Sequence, residues 1–241
     1  LGIAVRPPHV NQSGYHFTLG SEKRAGDAPP LPILWMGLGQ VRNLRHGAID
    51  DILSQRSRQP FADLDDLLDR VALQQREVSN LIECGALDGL AESRAELLSL
   101  AGNRNTGRRQ QLAFDFAAPS VEPESNEQRL RWERELLGQP VSVDPLQIAL
   151  SQNAQSDNKT GMTLAQIEGR PGQPVQFAGY RLPGWTGGKG FYISDGVRYA
   201  IAIPTGTLAT PRSWSPIQMT GRWLVDEWGG GWFQIEKWGD I

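Results

Sequence analysis

Residues 35–56, which read WMGLGQVRNLRHGAIDDILSQR, carry two short helical patterns on either side of a polar turn. Apolar residues recur at helical spacing through both patterns, at Leu38, Val41, Leu44, Ile49, Ile52 and Leu53. The turn between them, residues 43–47, is so short that the two helices must pack against each other. The stretch therefore predicts a helical hairpin at the centre of an α domain.

The turn of this hairpin has the composition of a phosphate site. Its backbone amides would point outward, and a nest of amides flanked by cations can cradle one phosphate of a nucleic acid. Further along, Arg56 and Arg58 add positive charge. We expect the contacts with DNA to come from Arg42, Asn43, Arg45, His46 and Gly47. The alternative is an ordinary helical hairpin, which fits the same pattern.

Composition limits the function classes that are open to the chain. Its 24 Lys and Arg stand against 27 Asp and Glu, and a net charge of −3 excludes a protein that coats DNA by bulk charge. No apolar run reaches membrane-spanning length and no secretory segment is visible, so we expect a cytoplasmic protein with no membrane partner. The chain begins with Leu1, in the middle of a pattern, and we expect it to be a piece of something longer.

Cysteine and histidine are too few to build a metal site. Cys84 is the single cysteine, and the three histidines show no zinc-ligand spacing. Because no base stands beside Cys84, we interpret it as a buried structural thiol rather than a nucleophile. The sequence therefore predicts no cofactor in this chain.

Helical patterns continue after the hairpin. Residues 61–71 and 77–83 carry apolar faces, and Asp63 stands near the start of the first of them. Ser93 and Glu96 form a capping box at the start of a further helix. These patterns predict a tandem α domain.

Less regular segments surround this α domain. Residues 1–5 and 15–19 read as short strands, and residues 20–32 read as a loop of Gly, Pro and charge. A helix is expected over residues 127–137, and residues 151–161 form a polar linker.

Residues 101–126 are rich in Gly, Asn, Arg, Ser, Pro and Glu and read as a linker. One apolar cluster, QQLAFDF at residues 110–116, interrupts it. Isolated Leu and Phe in such a segment serve either a binding partner or packing back onto the α domain, and the sequence leaves both open.

The periodicity changes to two in the last part of the chain. Short strands are expected around Val175–Gly179, Phe191–Ile193, Tyr199–Ile203, Ile217–Asp226 and Trp232–Trp238. Five strands joined by Gly turns fit a small closed barrel such as an OB-fold. The fold class predicted for the whole chain is α+β multidomain, with a helix-hairpin-helix α domain followed by a linker and a small OB-fold β-barrel.

Six of the eight tryptophans fall in the barrel region. One interpretation is that they pack in the core and along strand edges. The other is that an aromatic platform stacks on bases, with cations beside it. The residues proposed for that platform are Tyr180, Trp185, Phe191 or Tyr192, flanked by Arg181, Lys189 and Arg198.

Several segments, taken in order, resemble one protein family. They are RPPHVNQS (6–13), GLGQVRNLRHGAIDDILSQR (37–56), PFADLDDLLDRV (60–71), LIECGALDGL (81–90) with Arg94, and ERELLG (133–138) followed by VDPL (143–146). Together they resemble the C-terminal part of bacterial DNA polymerase III α subunits, the C-family replicases. The hairpin also resembles the error-prone branch of that family, so the replicative and error-prone identities are both open.

The resemblance implies a division of the chain. The parts are 1–33 as the end of the fingers region, 34–100 as the helix-hairpin-helix domain, 101–128 as a flexible linker with a clamp-binding peptide, 129–165 as a connecting helix and linker, and 166–241 as the OB-fold domain. The clamp contacts would be Gln111, Leu112, Phe114 and Phe116. A five-residue frame that starts at Gln110 would instead end at Phe114, so the register is open.

The resemblance also implies partners and a division of labour. The partners would be duplex and single-stranded DNA, the sliding clamp and other polymerase holoenzyme subunits. The catalytic palm of the family, with its metal-binding aspartates and Mg²⁺, lies upstream of these segments, so no catalytic residue is expected here. The pairs Asp50-Asp51 and Asp65-Asp66 are neighbours on helices and would not converge on a metal.

Two positions depart from the family pattern. The family hairpin usually reads Gly-apolar-Gly, where this chain has Asn43-Leu44-Arg45. Arginine adopts the left-handed backbone poorly, although its charge could replace amide contacts with the phosphate. The family commonly reads Gly-His-Pro-Leu where Val143–Leu146 stands here.

Other classes combine the same modules. A stand-alone helix-hairpin-helix and OB protein of repair or recombination is one alternative. NAD-dependent DNA ligases also carry both, but they have a zinc cysteine cluster that this sequence lacks. In ligases and junction-binding proteins the barrel precedes the hairpins, whereas here it follows them. A purely structural interaction module, with no affinity for DNA, is the third alternative.

Overall fold

The computed structural model describes residues 3–22, 30–105, 121–152 and 162–241. The chain separates into two units, Leu1–Val143 and Asp144–Ile241. Each unit is described by itself below. The finer division into five parts stays a prediction.

The first unit opens with a three-stranded sheet. Its strands are β1 (Ala4–Arg6), β2 (Thr18–Glu22) and β3 (Leu31–Trp35), in the order β1-β3-β2. Strand β3 pairs parallel to β1 and antiparallel to β2. The sequence prediction of a loop over residues 20–32 is wrong at both ends, because β2 runs on to Glu22 and β3 begins at Leu31.

The described part of the first unit also contains five α-helices. They are α1 (His46–Arg58), α2 (Leu64–Arg70), α3 (Gln75–Glu83), α4 (Arg94–Asn105) and α5 (Asn126–Leu136). The helices expected over residues 61–71, 77–83 and 127–137 are confirmed. Most of the apolar residues predicted to face inward are buried in one core, and Leu44, Leu53 and Leu68 pack against it while partly exposed. The core also includes Val10 near the start of the unit and Leu136 near its end.

The prediction of an α-helix in the first half of the hairpin is wrong. A single 3₁₀ turn, Leu38–Gln40, takes its place, and the backbone around Tyr15 lies against this turn. A Cβ added at Gly37 would lie 2.3 Å from the carbonyl oxygen of Tyr15. Asn43 then adopts a φ of 60°, which is outside the helical region.

The predicted caps are present, with one change. Asp63 accepts a hydrogen bond from the amide of Asp66 at 2.8 Å, and Ser93 accepts one from the amide of Glu96 at 3.1 Å. The Glu96 carboxylate accepts from the amide of Glu92 rather than from that of Ser93, so only half of the predicted capping box forms.

A buried arginine joins the α3–α4 turn to α5. Arg94 is 1% exposed and donates to both carboxylate oxygens of Asp88 at 2.8 Å, and to the carbonyl of Glu83 at 2.9 Å. The Glu133 carboxylate of α5 lies 3.7 Å from the same guanidinium. Gly85 has a φ of 87°, and a Cβ there would lie 2.4 Å from Arg94 Nη2, so this position requires glycine.

The thiol of Cys84 is fully buried beside this arginine, as predicted. Burial raises its pKa to about 12, so the sulfur stays protonated and inert at neutral pH. This agrees with a structural role.

The second unit is a closed five-stranded barrel with two short helices. The elements are α6 (Pro145–Gln152), α7 (Leu164–Glu168), β4 (Pro174–Leu182), β5 (Phe191–Ser194), β6 (Tyr199–Pro204), β7 (Pro216–Val225) and β8 (Gly231–Asp240). The strands close in the order β4-β5-β6-β8-β7, with β6 and β8 parallel. This is the strand order of the five-stranded Greek-key barrel of the OB-fold, so the predicted fold class is confirmed.

The two helices of this unit were not predicted. Helix α6 starts at Pro145, a favoured first helical position, and the Asp144 carboxylate accepts from the amide of Leu146 at 2.8 Å. Helix α7 starts with a capping box of Thr163 and Gln166. It closes one end of the barrel, since Leu164 and Ile167 belong to the barrel core.

Within residues 3–22, 30–105, 121–152 and 162–241, no helix has both the length and the hydrophobicity needed to cross a bilayer. Over the same ranges, no three His, Cys, Asp or Glu side chains are grouped as metal ligands would be.

Candidate nucleic-acid interfaces

The segment after the 3₁₀ turn forms an exposed loop that ends at the start of α1. Arg42, Asn43, Arg45, His46 and Gly47 are all exposed, whereas Leu44 packs against the core. Asn43 is the residue in the left-handed region, which asparagine tolerates. Arg45 is the N-cap residue of α1 with an extended backbone, so the strain anticipated for an arginine here does not arise.

The first turn of α1 can still receive an anion. Among the described residues, the Arg45 side chain does not cap this turn and no acidic residue lies in it, although the Glu77 carboxylate accepts from the amide of Arg45 just before it. A Cβ added at Gly47 would meet no atom within 4 Å. The first amides of a helix have no partner within the helix, and together with the helix dipole they favour a negatively charged group such as a phosphate.

Arg45 is committed to an internal ion pair. Its Nε lies 2.8 Å from Glu77 Oε1, its Nη2 lies 2.8 Å from Oε2, and its backbone amide donates to Oε1 at 3.0 Å. Glu77 is 1% exposed and also caps α3 through the amide of Gln74. The pair joins the starts of α1 and α3, which corrects the expectation that Arg45 meets phosphate by direct charge.

The hydrogen bonds from Arg45 lower the pKa of Glu77 to about 2, against the opposing effect of burial. The carboxylate is therefore charged throughout the neutral range, and its charge supports the folded state.

The remaining cations of the hairpin differ in availability. Arg56 donates to the carbonyls of Val10 and Ser13 at 2.8 and 2.6 Å. It therefore fixes the segment around these residues and is not available to a ligand. Arg58 is exposed at the far end of α1. The Arg42 side chain forms no hydrogen bond or ion pair with any residue that the structure describes. It is the available cation of the loop.

A row of side chains crosses the outer surface of the barrel. Tyr192 of β5 is paired with Ile201 of β6. Ala202 and Ile203 pair with Phe233 and Gln234 of β8, so Trp232 lies level with Ile201, one residue earlier on both strands. Tyr192, Ile201 and Trp232 are all at least partly exposed. Tyr199, on the same face of β6, is 71% exposed.

Two loops with exposed tryptophans border this row. The β4–β5 loop, residues 183–190, carries Trp185, which is 84% exposed, and its Gly184 passes beside the ring of Tyr192. Lys189 of the same loop is exposed. The β7–β8 loop carries Trp228, which is 88% exposed. In OB-folds the faces of the second and third strands and these two loops bind oligonucleotides. We call this surface the barrel face.

The prediction that Phe191 and Tyr180 stack on bases is wrong. Phe191 is buried inside the barrel, and Tyr180 is buried on the outer side of β4 beneath α6, with its ring 5.6 Å from that of Trp214. Burial is also the main cause of the raised pKa of Tyr180. Neither ring can stack on a base.

The predicted flanking arginines are engaged within the barrel. Arg181 donates to the carbonyl of Pro211 at 3.2 Å, and Arg198 pairs with Glu168 at 2.5 Å. The aromatic residues of the barrel face that the sequence reasoning missed are Tyr199, Trp228 and Trp232. For Trp228 a signal existed, because it precedes three glycines just as Trp185 stands among glycines.

Comparison with known proteins places the first unit in a known motif family and finds related polymerases. Residues 2–97 match the family described as a helix-hairpin-helix motif. An error-prone DNA polymerase of Alkalilimnicola ehrlichii is 30% identical over 196 residues, which cover 79% of this chain and 18% of that protein. The DNA polymerase III subunit alpha of Thermus aquaticus is 34% identical over 163 residues, which cover 61% of this chain and 12% of that protein.

The chain is homologous to the C-terminal portion of these polymerases. It spans less than a fifth of the length of either relative, and the matches include both the replicative and the error-prone branch of the polymerase III α family.

Solved structures align with only a part of the chain. The asparaginyl-tRNA synthetase of Pyrococcus horikoshii aligns with a TM-score of 0.29 and 19% identity, over 34% of this chain and 22% of that chain. The OB-fold assignment rests on the strand order of the barrel.

The polymerase III α segments recognised in the sequence have structural roles here. Asn11 exchanges two hydrogen bonds of 2.8 Å with the backbone of Phe61, and the buried Ser13 accepts from the amide of His9 at 2.8 Å. Glu133 accepts from the amides of Val141 and Ser142. The predicted clamp residues Gln111, Leu112, Phe114 and Phe116 lie outside the described residues, and so does Gln110.

Glu77→Gln tests the ion pair that fixes the start of α1. The pKa of Glu77 is depressed, so its stabilising effect is complete above the unfolded-state pKa and disappears as the pH falls towards 2. At pH 7 we expect the variant to lose roughly 2 kcal/mol of unfolding free energy, a difference that shrinks between pH 5 and 2. Urea denaturation of the 241-residue chain over this pH range is the measurement.

Glu92→Gln, at an exposed acid, is the control and should leave the unfolding free energy almost unchanged. A loss that does not change with pH would contradict the assignment.

Proposed function

We propose that this chain is the DNA-binding C-terminal portion of a bacterial polymerase III α-like enzyme, and that it grips duplex DNA, single-stranded template and the sliding clamp during DNA replication. The observation that carries the proposal is the uncapped start of α1 beside Arg42, in a chain homologous to these polymerases. The barrel face adds a second surface with the chemistry of a nucleic-acid site.

Duplex DNA is held at the hairpin through its phosphates. The amides at the start of α1, around His46 and Gly47, receive one phosphate, and Arg42 contributes charge beside it. Asn43 supplies the left-handed turn that brings the chain into the helix. Contacts of this kind carry no sequence information, so the hairpin binds all duplex sequences alike.

Single-stranded template lies on the barrel face. Trp185 and Trp228 stand on the two loops, and Tyr192, Tyr199 and Trp232 lie between them. Bases stack on aromatic rings of this kind irrespective of sequence, and Lys189 lies close to the path of the backbone phosphates. This suits a polymerase, which must accept any template.

The sliding clamp is bound by residues 111–116. Two apolar anchors and a glutamine on one short segment fit a preformed groove. Ordering the segment keeps the affinity moderate, and a sliding clamp needs an attachment that can be released.

The chemistry of the enzyme belongs to another part of the polypeptide. In this proposal the Mg²⁺ ions and the catalytic aspartates sit in a polymerase domain upstream, and this chain contributes only binding. The other subunits of the polymerase holoenzyme are further partners, and the assembly works in the cytoplasm, where the bacterial chromosome is copied.

Arg42→Ala tests the duplex site. The variant should bind a duplex several-fold more weakly whatever its sequence, because one phosphate contact is lost, and the slope of log affinity against log salt should fall by about 1. Fluorescence anisotropy with labelled duplexes at several salt concentrations is the measurement. Arg58→Ala is the matched control, because it removes the same charge from the other end of α1, roughly 20 Å away. Equal losses in both variants would mean that bulk charge alone binds the duplex.

Trp185→Ala and Trp228→Ala test the barrel face. Each should weaken the binding of a labelled single-stranded oligonucleotide by about 1–3 kcal/mol, the usual contribution of a stacked base. Duplex affinity should stay close to that of the parent chain. Leu19→Ala removes an exposed apolar side chain from the other unit and serves as the control. Unchanged single-strand affinity in both tryptophan variants would remove the barrel face from the interface.

Phe114→Ala tests the clamp peptide, since both possible registers use this residue. We expect it to abolish binding of the chain to the sliding clamp of the source organism, in a pull-down or surface plasmon resonance assay, and to leave DNA affinity unchanged. Phe116→Ala distinguishes the registers, because only the six-residue frame needs Phe116. Clamp binding that survives the loss of both Leu112 and Phe114 would place the attachment elsewhere.

A further inference from the structure

Tyr15 lies beside the proposed phosphate loop although it is about thirty residues away in the sequence. Its ring is partly buried against the core of the first unit. The 3₁₀ turn holds its backbone, since Gly39 donates to the Tyr15 carbonyl at 3.0 Å and Leu38 donates to that of Gly14 at 2.9 Å. A Cβ at Gly39 would lie 3.0 Å from the tyrosine ring, so a side chain at this position would press on the ring. The ring position is therefore well defined.

The hydroxyl of Tyr15 reaches the first residue of α1. Tyr15 Oη lies 2.9 Å from His46 Nε2, and the two rings stack with their centroids 4.9 Å apart and an interplanar angle of 26°. His16 packs edge-on against the same tyrosine, with the ring centroids 4.9 Å apart. The His46 ring is thus held both by stacking and by a hydrogen bond.

This contact determines which imidazole nitrogen of His46 remains available as a hydrogen-bond donor. A neutral histidine carries its proton on one ring nitrogen, and the hydrogen bond at the other nitrogen selects which one. When the tyrosine hydroxyl donates to Nε2, the proton is on Nδ1. Among the residues that the structure describes, none forms a hydrogen bond with His46 Nδ1. An N–H donor then remains on an exposed ring at the uncapped start of α1.

We propose that Tyr15 is a positioning residue of the duplex site: its hydroxyl holds His46 as the Nδ1–H tautomer, and His46 donates that proton in a hydrogen bond to the phosphate bound at the start of α1. The inference rests on the proposed function of the hairpin. It also extends the DNA site to a segment that the sequence assigned to a neighbouring region. The tyrosine itself touches no phosphate.

Tyr15→Phe tests the proposal in the full 241-residue chain, because it keeps the stacking ring and removes only the hydroxyl. We expect duplex affinity to fall roughly three- to tenfold, the usual range for one hydrogen bond. His46→Ala should produce a similar fall. Because Tyr15 acts through His46, Tyr15→Phe in the His46→Ala background should cause no further loss.

A spectroscopic measurement separates positioning from a general structural effect. In the parent chain labelled with ¹⁵N-histidine, the ring nitrogen shifts of His46 should show the proton on Nδ1. In Tyr15→Phe they should show a mixture of tautomers. A proton on Nε2 in the parent chain would overturn the inference.

Arg42→Ala distinguishes this inference from the proposed function. If Arg42→Ala weakens duplex binding while Tyr15→Phe binds as tightly as the parent, the hairpin site stands and the role of Tyr15 is refuted. Additive losses from Tyr15→Phe and His46→Ala would refute it as well. If neither Arg42→Ala nor His46→Ala changes the affinity, the duplex site itself is refuted.

Discussion

The buried guanidinium of Arg94 is the interaction on which the first unit depends. Removing one partner of a buried ion pair leaves the other charge without compensation, which costs about 3–5 kcal/mol. Through Glu133 the arginine fixes α5. The end of α5 contacts the loop that precedes α1, because the Leu136 carbonyl accepts a hydrogen bond from the Arg42 amide at 2.9 Å. Asn80 of α3 donates to the Arg42 carbonyl at 3.0 Å. The backbone of the proposed phosphate site is thereby held from both sides.

Charge is divided between folding and binding within a few residues. Arg45 and Arg56 donate hydrogen bonds to groups within the first unit, so they stabilise the fold. The side chain of Arg42 remains available to contact a phosphate in the proposed site. A chain with a net charge of −3 can bind a polyanion in this way because the helix dipole and one cation act over a short distance. In the proposed function the affinity of such a site is modest, which suits an enzyme that has to move along its DNA.

Much of the fold could be predicted because the periodicity of its apolar residues is visible in the sequence. The faces of α2, α3 and α5 and the five barrel strands follow from the spacing of apolar residues. Strand β3 was missed because Pro32 argues against a strand, although Pro32 pairs only with β2. The site was harder to predict. Alternation along β4 places Tyr180 on the outer side, but only the structure shows that α6 covers it. The pairing of Arg45 with Glu77 joins residues 32 apart, and no local pattern reports it.

The core of the first unit has a consequence for how the chain folds during synthesis. Val10 and Leu136 share one hydrophobic core although 126 residues of sequence separate them. Contacts so distant in sequence have a high entropic cost of closure and form late. Helices α1 to α4 leave the ribosome well before α5, so their apolar faces remain incompletely covered until residue 136 has emerged. For that interval the nascent chain exposes surface that a chaperone would recognise.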